Sequence, residues 1–78
     1  MEGAYFLIEV AVGSTKRVYG EIKENVPHVE AHIVTGPYDI ISVVRQEGLE
    51  KIRSARGAIE AVPGVIRVVL CGIYSRGK

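Results

Sequence analysis

The sequence predicts one α+β domain whose elements follow the order βαββαβ. Three observations predict it: a length that suits a single hydrophobic core, strand-like apolar runs that alternate with helical spacing, and a second half that repeats the first. The chain has 78 residues, and we expect residues 1–78 to form this one domain.

The chain begins with a strand and a helix. Residues 4–12 (AYFLIEVAV) are rich in β-branched and aromatic side chains and are followed by a glycine, which predicts a strand and then a break. Ser14 or Thr15 can cap a helix that runs to about Asn25, because apolar side chains recur there every four residues. Pro27 stops this helix, since proline cannot continue its hydrogen bonding.

A hairpin follows the first helix. Residues 29–34 are predicted as the second strand and residues 38–45 as the third, with the Gly36-Pro37 pair marking the turn between them. The connection is short, so the two strands are expected to pair as a hairpin. Residues 46–48 (QEG) are predicted as a second break.

The last part of the chain again reads as a helix and a strand. Apolar side chains between Leu49 and Val62 follow three- and four-residue spacing, which predicts a helix. A Pro-Gly pair at residues 63–64 ends it. Residues 65–71 are predicted as the fourth strand, and residues 75–78 as a polar tail.

The two halves of the sequence resemble each other. A shift of 36 positions places residues 26–29 (VPHV) on residues 62–65 (VPGV) and matches Arg17 with Arg53. Two similar βαβ halves make up the ferredoxin-like fold. The right-handed crossover rule then puts both helices on one face of a four-stranded antiparallel sheet. The sequence therefore predicts a ferredoxin-like βαββαβ sandwich.

The strands carry apolar side chains on both sides. In the first strand, alternation sets residues 6, 8, 10 and 12 against residues 5, 7, 9 and 11. In the fourth strand it sets Ile66, Val68 and Leu70 against Val65, Arg67, Val69 and Cys71. A soluble monomer rarely exposes so large an apolar face. We therefore expect dimerisation through the sheet, since a chain of this size alone buries only about 60% of its unfolded surface.

Charge and hydropathy exclude several classes of partner. Ten Lys and Arg against nine Asp and Glu give a formal net charge of +1, which is no electrostatic footprint for direct binding of nucleic acid. No apolar run reaches the length of a membrane span, and no segment resembles a signal peptide. We therefore expect no membrane partner and a cytoplasmic location.

The residues that most often carry chemistry are poorly placed for it. His28 and His32 are four apart, and on one strand face they would lie about 13 Å apart, too far to share a metal. Cys71 has no evident base and is expected to be a buried strand thiol. We therefore expect no catalytic residue, no metal and no cofactor, and hence no enzyme.

The connection at residues 35–39 (TGPYD) is different in kind. It combines a hydroxyl, a glycine, an aromatic ring and a carboxylate at a hairpin. Asp39 could face an ammonium while N–H groups near Gly36 face a carboxylate, so the segment suits a zwitterion. The alternative is that the Gly-Pro pair shapes the turn, while Asp39 caps it and Tyr38 packs.

Residues 34–41 (VTGPYDII), followed by a helix and by residues 62–65 (VPGV), resemble the effector-binding or RAM domain of the Lrp/AsnC transcription regulators. The resemblance covers residues 4–74. It implies a domain that dimerises through its sheets, often assembles further, commonly as four dimers, and binds amino acids at contacts between dimers. The positions it assigns to that site are Thr35, Gly36, Tyr38 and Asp39, with Pro37 at a variable position.

The resemblance also implies a stand-alone form. Full-length family members carry an N-terminal helix-turn-helix, whereas this chain starts almost directly at its first strand. We therefore expect an oligomeric sensor of an amino acid or similar small effector, which modulates transcription by co-assembly with a DNA-binding homologue. Two alternatives stay open: a structural or interaction oligomer without a ligand, and an enzyme of the dimeric α/β-barrel type.

Overall fold

The computed structural model describes residues 3–45 and 48–74, which form a four-stranded antiparallel sheet with two helices on one face. The elements are β1 (Gly3–Val10), α1 (Thr15–Asn25), β2 (Val29–Ile33), β3 (Ile40–Arg45), α2 (Leu49–Glu60) and β4 (Val65–Ile73). The strand order is β2-β3-β1-β4. The predicted ferredoxin-like fold is confirmed. Most of the predicted break at residues 46–48 and the polar tail at residues 75–78 lie outside the described residues.

The core lies between the helices and the sheet face that they cover. Its fully buried side chains include Phe6, Ile8 and Ile40 from the strands and Val18, Ile22, Ile52 and Ile59 from the helices. These are the residues that period-two and period-3.6 alternation assigns to one face of each element. Burial of each such side chain contributes about 1.5–3 kcal/mol to the free energy of unfolding. This packing fixes the strands of the sheet, and the strands in turn position the side chains on the opposite face.

A β-bulge at the start of β4 changes which face of the sheet Val65 and Ile66 point to. In the β1–β4 register Glu9 pairs with Arg67 and Val10 with Val65, which leaves Ile66 without a partner. Val65 therefore packs against the core, while Ile66 is 62% exposed. The prediction had placed Ile66 on the same side as Val68, which is buried, and Val65 on the same side as Arg67, which is exposed. It was wrong because one inserted residue inverts the alternation that precedes it.

The end of β1 also differs from the prediction. The strand stops at Val10, and the next residues form a turn before α1. Alternation had placed Val12 on the same side as Phe6, Ile8 and Val10, which are buried, but Val12 is fully exposed. A side chain follows strand alternation only while its backbone stays in the ladder, so Val12 contributes nothing to the core.

The internal repeat is visible in two matching turns between helix and strand. His28 has φ of 66° and Gly64 has φ of 102°, so both residues occupy the left-handed region at equivalent positions of the repeat. Glycine adopts this region freely, whereas another L-residue is strained there by about 1–2 kcal/mol. The turn places His28 ahead of β2, so His28 and His32 do not lie on one strand.

The turn at Gly64 packs tightly on the start of α1. A Cβ atom on Gly64 would lie 2.6 Å from Nη2 of Arg17 and 3.2 Å from Cγ2 of Val18. The Gly64 carbonyl also accepts a hydrogen bond of 2.8 Å from the N–H of Ala11. This turn therefore needs glycine for two reasons, its backbone conformation and its close approach to a helix.

Candidate functional site

The β2–β3 hairpin is anchored on the end of β1. The N–H of Val34 donates to the carbonyl of Asp39 at 2.9 Å, which closes a loop of residues 35–38. The N–H of Asp39 donates to the carbonyl of Ile8, also at 2.9 Å. Gly36 has φ of 120°, a conformation that favours glycine. The loop tip is therefore shaped by Gly36 and held in place from the Asp39 side.

The Asp39 carboxylate is part of this anchor. Its Oδ2 atom accepts a hydrogen bond of 2.9 Å from the N–H of Val10, in a partly buried position. The bond satisfies a backbone donor at the end of β1, where β3 no longer pairs with it. One of the roughly four acceptor sites of the carboxylate is used in this bond. Asp39 therefore helps to anchor the hairpin on β1, and its carboxylate keeps further acceptor sites.

Tyr38 connects the hairpin to the strands. Nη2 of Arg67 donates to Oη of Tyr38 at 3.1 Å, and the guanidinium carbon lies 5.7 Å from the centroid of the Tyr38 ring. Nε of Arg67 lies 3.6 Å from Oε1 of Glu9 in an ion pair. Tyr38, Arg67 and Glu9 therefore form a continuous chain of side-chain contacts from the loop to the uncovered sheet face.

Sequence reasoning missed Arg67 and Glu9. A signal for them existed, because alternation places both on the same side of adjacent strands, and they carry opposite charges. The link to Tyr38 spans 29 positions and needs the strand register, which periodicity does not supply. The four predicted site residues thus divide into two pairs. Tyr38 contacts Arg67 and Asp39 contacts the N–H of Val10, whereas Thr35 and Gly36 are exposed at the loop tip.

The sheet face opposite the helices, which we call the open face, has an apolar centre. Leu7 pairs in register with Ile41 and Val69, and Tyr5 pairs with Val43 and Cys71. In the chain alone Tyr5 is 42% exposed, while Leu7, Ile41 and Val69 are half-buried.

The Cys71 thiol lies on this open face. The prediction of a buried thiol was wrong for the single chain, because Cys71 is exposed beside Tyr5. The residue belongs to β4, but alternation directs it away from the helices that cover the other side.

Charged groups border the open face along β2 and β3. Nε of Arg45 donates to Oε2 of Glu30 at 2.8 Å, and Nε2 of His32 lies 3.9 Å from Oε1 of the same carboxylate. The hydrogen bond and positive charge of Arg45 hold the pKa of Glu30 below its ordinary value, and Glu30 in turn raises the pKa of Arg45. β2 thus presents polar side chains here, which corrects the expectation that every strand is apolar on both sides.

Within residues 3–45 and 48–74, no three His, Cys, Asp or Glu side chains come together in a way that could hold a metal ion. Within the same residues, neither helix has the length and apolar character required to cross a membrane.

The strand order, the paired helices and the hairpin define a small ferredoxin-like domain, and solved structures of similar size share it. The chain is 31% identical to TTHA0845 from Thermus thermophilus, with a TM-score of 0.77 over 97% of this chain and 100% of that one. It is 26% identical to FFRP-DM1, a protein of the Lrp/AsnC family, with a TM-score of 0.77 over 91% and 96% of the two chains. The fold is therefore that of the small Lrp/AsnC-like RAM domain.

A third structure shares the fold at lower identity. The hypothetical protein PHS023 from Pyrococcus horikoshii is 24% identical, with a TM-score of 0.78 over 97% of this chain and 94% of that one. No family model matches the sequence, and no curated protein matches it. The likeness therefore lies in the architecture, and it is compatible with a regulatory domain that binds an effector.

Proposed function

We propose that the protein belongs to the Lrp/AsnC family and is a non-enzymatic, oligomeric sensor that binds an amino acid or a similar small effector. The proposed site is the hairpin at residues 35–39, together with the Arg67 and Glu9 side chains beside it. In this proposal the sensor acts in the cytoplasm and modulates transcription by co-assembly with a DNA-binding homologue.

The observation that carries this proposal is the charged arrangement at one end of β1. Glu9 pairs with Arg67, and the next residue, Val10, donates its N–H to the Asp39 carboxylate. One guanidinium and two carboxylates therefore surround the base of the hairpin. A zwitterion suits this arrangement, because its carboxylate can approach Arg67 and its ammonium can approach the carboxylates of Asp39 or Glu9.

The open face supports the oligomeric part of the proposal. Its apolar centre is formed by six side chains on three adjacent strands, namely Tyr5, Leu7, Ile41, Val43, Val69 and Cys71. A second copy of the chain is the occupant we propose, because the charged borders carry both signs, Glu30 with Arg45 and Glu9 with Arg67. Two copies related by a two-fold axis can place such borders against each other with opposite charges matched.

The ligand is tested by a thermal-shift screen of the wild-type protein with each of the twenty amino acids at millimolar concentration. Binding to the native state raises the free energy of unfolding by mass action, by about 2.7 kcal/mol at a hundredfold excess over the dissociation constant, and the unfolding temperature rises with it. Arg67→Gln is expected to abolish the shift. Arg53→Gln, an exposed arginine on α2, is the matched control and should retain it. The effector proposal is refuted if no amino acid shifts the transition.

A specific observation also favours a second candidate, an interaction oligomer without a ligand. Oδ2 of Asp39 and Oη of Tyr38 are both engaged within the chain, so part of the hairpin chemistry is accounted for by structure alone. In that case the protein associates with itself through the open face, and neither association nor thermal stability responds to any amino acid.

A further inference from the structure

We propose a second small-molecule site on the helix side of the sheet, in the cleft between α2 and the turn at residues 26–28. The cleft has a volume of about 220 Å³. Buried apolar side chains form its floor, among them Val44 of β3 and Ala55 of α2. Exposed polar side chains stand at its mouth: His28 from the turn and Lys51 and Ser54 from α2. The hairpin site and the open face lie on other surfaces.

The cleft occupies the place where the other half of the chain has a closed contact. The turn at Gly64 packs on α1 so tightly that a Cβ atom there would lie 3.2 Å from the buried Val18 side chain. The shift of 36 positions that relates the halves matches Gly64 with His28 and Val18 with Ser54. The buried Val18 of the first half thus corresponds to the exposed Ser54 of the second half. The space between turn and helix that Val18 helps to close in the first half is open in the second.

The turn at residues 26–28 has a histidine, His28, at the position where the equivalent turn of the repeat has Gly64. His28 holds a left-handed backbone conformation, with φ of 66°, although glycine serves at the equivalent position of the repeat. Strained residues of this kind occur preferentially at ligand sites, where the side chain has a use. Here the imidazole lines the cleft.

The lining selects a small anion with an apolar body. The mouth offers an ammonium, an imidazole and a hydroxyl, all able to donate hydrogen bonds to a carboxylate. None of the described residues that line the cleft is Asp or Glu, so these residues offer no counterpart to the ammonium group of a zwitterionic ligand. The volume lies below the roughly 300–1,000 Å³ of pockets for drug-sized ligands. We therefore assign the cleft to short-chain apolar carboxylates, which separates it from the zwitterion proposed at the hairpin.

The test is a titration of the ¹⁵N-labelled protein with isovalerate, followed by amide chemical shifts, with the uncharged isostere isovaleramide as the matched probe. We expect saturable shifts at residues 26, 28 and 51–58 with isovalerate and none with isovaleramide. Equal shifts with both probes, shifts centred on residues 35–39, or no saturable shift at all would each overturn the proposal.

Two variants test the geometry. Ser54→Val copies the closed half of the repeat, so it should fill the cleft and weaken isovalerate binding about tenfold or more, a loss of about 1.4 kcal/mol. Lys16→Met on α1 is a control that removes a positive charge elsewhere, and it should bind isovalerate like the wild type. Unchanged binding by Ser54→Val would overturn the proposal.

His28→Gly separates binding from folding. Glycine is the residue used at the equivalent turn, so this variant is expected to be at least as stable as the wild type while it binds isovalerate less tightly. A loss of affinity without a loss of stability cannot result from unfolding. Retained affinity in a stable His28→Gly variant would contradict the role of the imidazole.

Discussion

Oδ2 of Asp39 accepts a hydrogen bond of 2.9 Å from the N–H of Val10, across 29 positions of sequence. The bond ties the base of the β2–β3 hairpin to the end of the central strand β1. The same residue donates its own N–H to the carbonyl of Ile8. A residue expected to bind a ligand is thus also part of the scaffold, and its two roles need separate tests.

Two substitutions of Asp39 separate these roles. Asp39→Ala leaves the partly buried N–H of Val10 without its acceptor and should lower the free energy of unfolding by about 1–3 kcal/mol. Asp39→Asn keeps an amide oxygen that can accept the same bond, so it should lose much less stability but also lose the charge that faces an ammonium. Urea denaturation measures the first effect and the thermal-shift screen the second. An Asp39→Asn variant that still responds to an amino acid would place the ammonium elsewhere.

Gly64 is expected to be the least replaceable glycine of the described chain. Gly64→Ala combines φ of 102° with a Cβ atom 3.2 Å from Val18, so we expect a loss of about 2 kcal/mol or more in the free energy of unfolding. Gly57→Ala in α2 is the matched control. A Cβ atom there meets nothing within 4 Å, and alanine should stabilise the helix by about 1 kcal/mol. The measurement is urea denaturation, and similar effects of both substitutions would contradict this account of the turn.

His28→Gly should act in the opposite direction to Gly64→Ala. Relief of the left-handed strain gains about 1–2 kcal/mol, and the greater freedom of glycine in the unfolded chain offsets part of it. The expected result is a rise of about 0.5–1 kcal/mol in the free energy of unfolding, measured by urea denaturation. A substantial loss of stability would show that the imidazole makes contacts that outweigh the strain.

The order of elements and the core face of each helix could be predicted because they depend on local periodicity. The inversion at Ile66 could not, since an inserted residue in a run of β-branched side chains leaves no mark on the pattern. The polar border formed by Glu30 and His32 was readable in principle, because both alternate onto one side of β2.

The site was only partly predictable for the same physical reason. Thr35, Gly36 and Asp39 are close in sequence and form a recognisable segment. Arg67 reaches Tyr38 only because β4 lies beside β1 in a register with one bulge. The cleft beside His28 is still less visible in the sequence, because it results from a contact that one half of the repeat makes and the other does not.

The pair of Glu30 and Arg45 predicts a measurable titration. Arg45 lowers the pKa of Glu30 in the folded state, so the pair contributes stability above the unfolded pKa of Glu30, and this contribution is lost as pH falls through the lower folded value. Both side chains are at least half exposed, so solvent and salt screen the effect. An NMR titration should show the pKa of Glu30 rising towards its ordinary value in Arg45→Gln and remaining low in Arg53→Gln. A pKa that does not move in Arg45→Gln would exclude the ion pair in solution.

The open face predicts how the protein associates. Val69 lies near its centre, in register with Leu7, so Val69→Lys should put an ammonium where we propose that a second copy packs. An ammonium buried in an apolar interface without a partner costs about 2 kcal/mol or more, which corresponds to a dissociation constant raised about thirtyfold or more. Native mass spectrometry at micromolar concentration measures the loss of dimer.

Val12→Lys provides the control for this experiment, because Val12 is fully exposed and lies beyond the end of β1. It adds the same charge and should leave the dimer intact. Cys71 offers an independent readout, since its thiol is exposed on the open face of the single chain. A thiol reagent should modify Cys71 slowly in wild type and Val12→Lys, and fast in Val69→Lys, because only the last exposes the face. If Val69→Lys remains dimeric and its Cys71 reacts like the wild-type thiol, the copies associate through another surface.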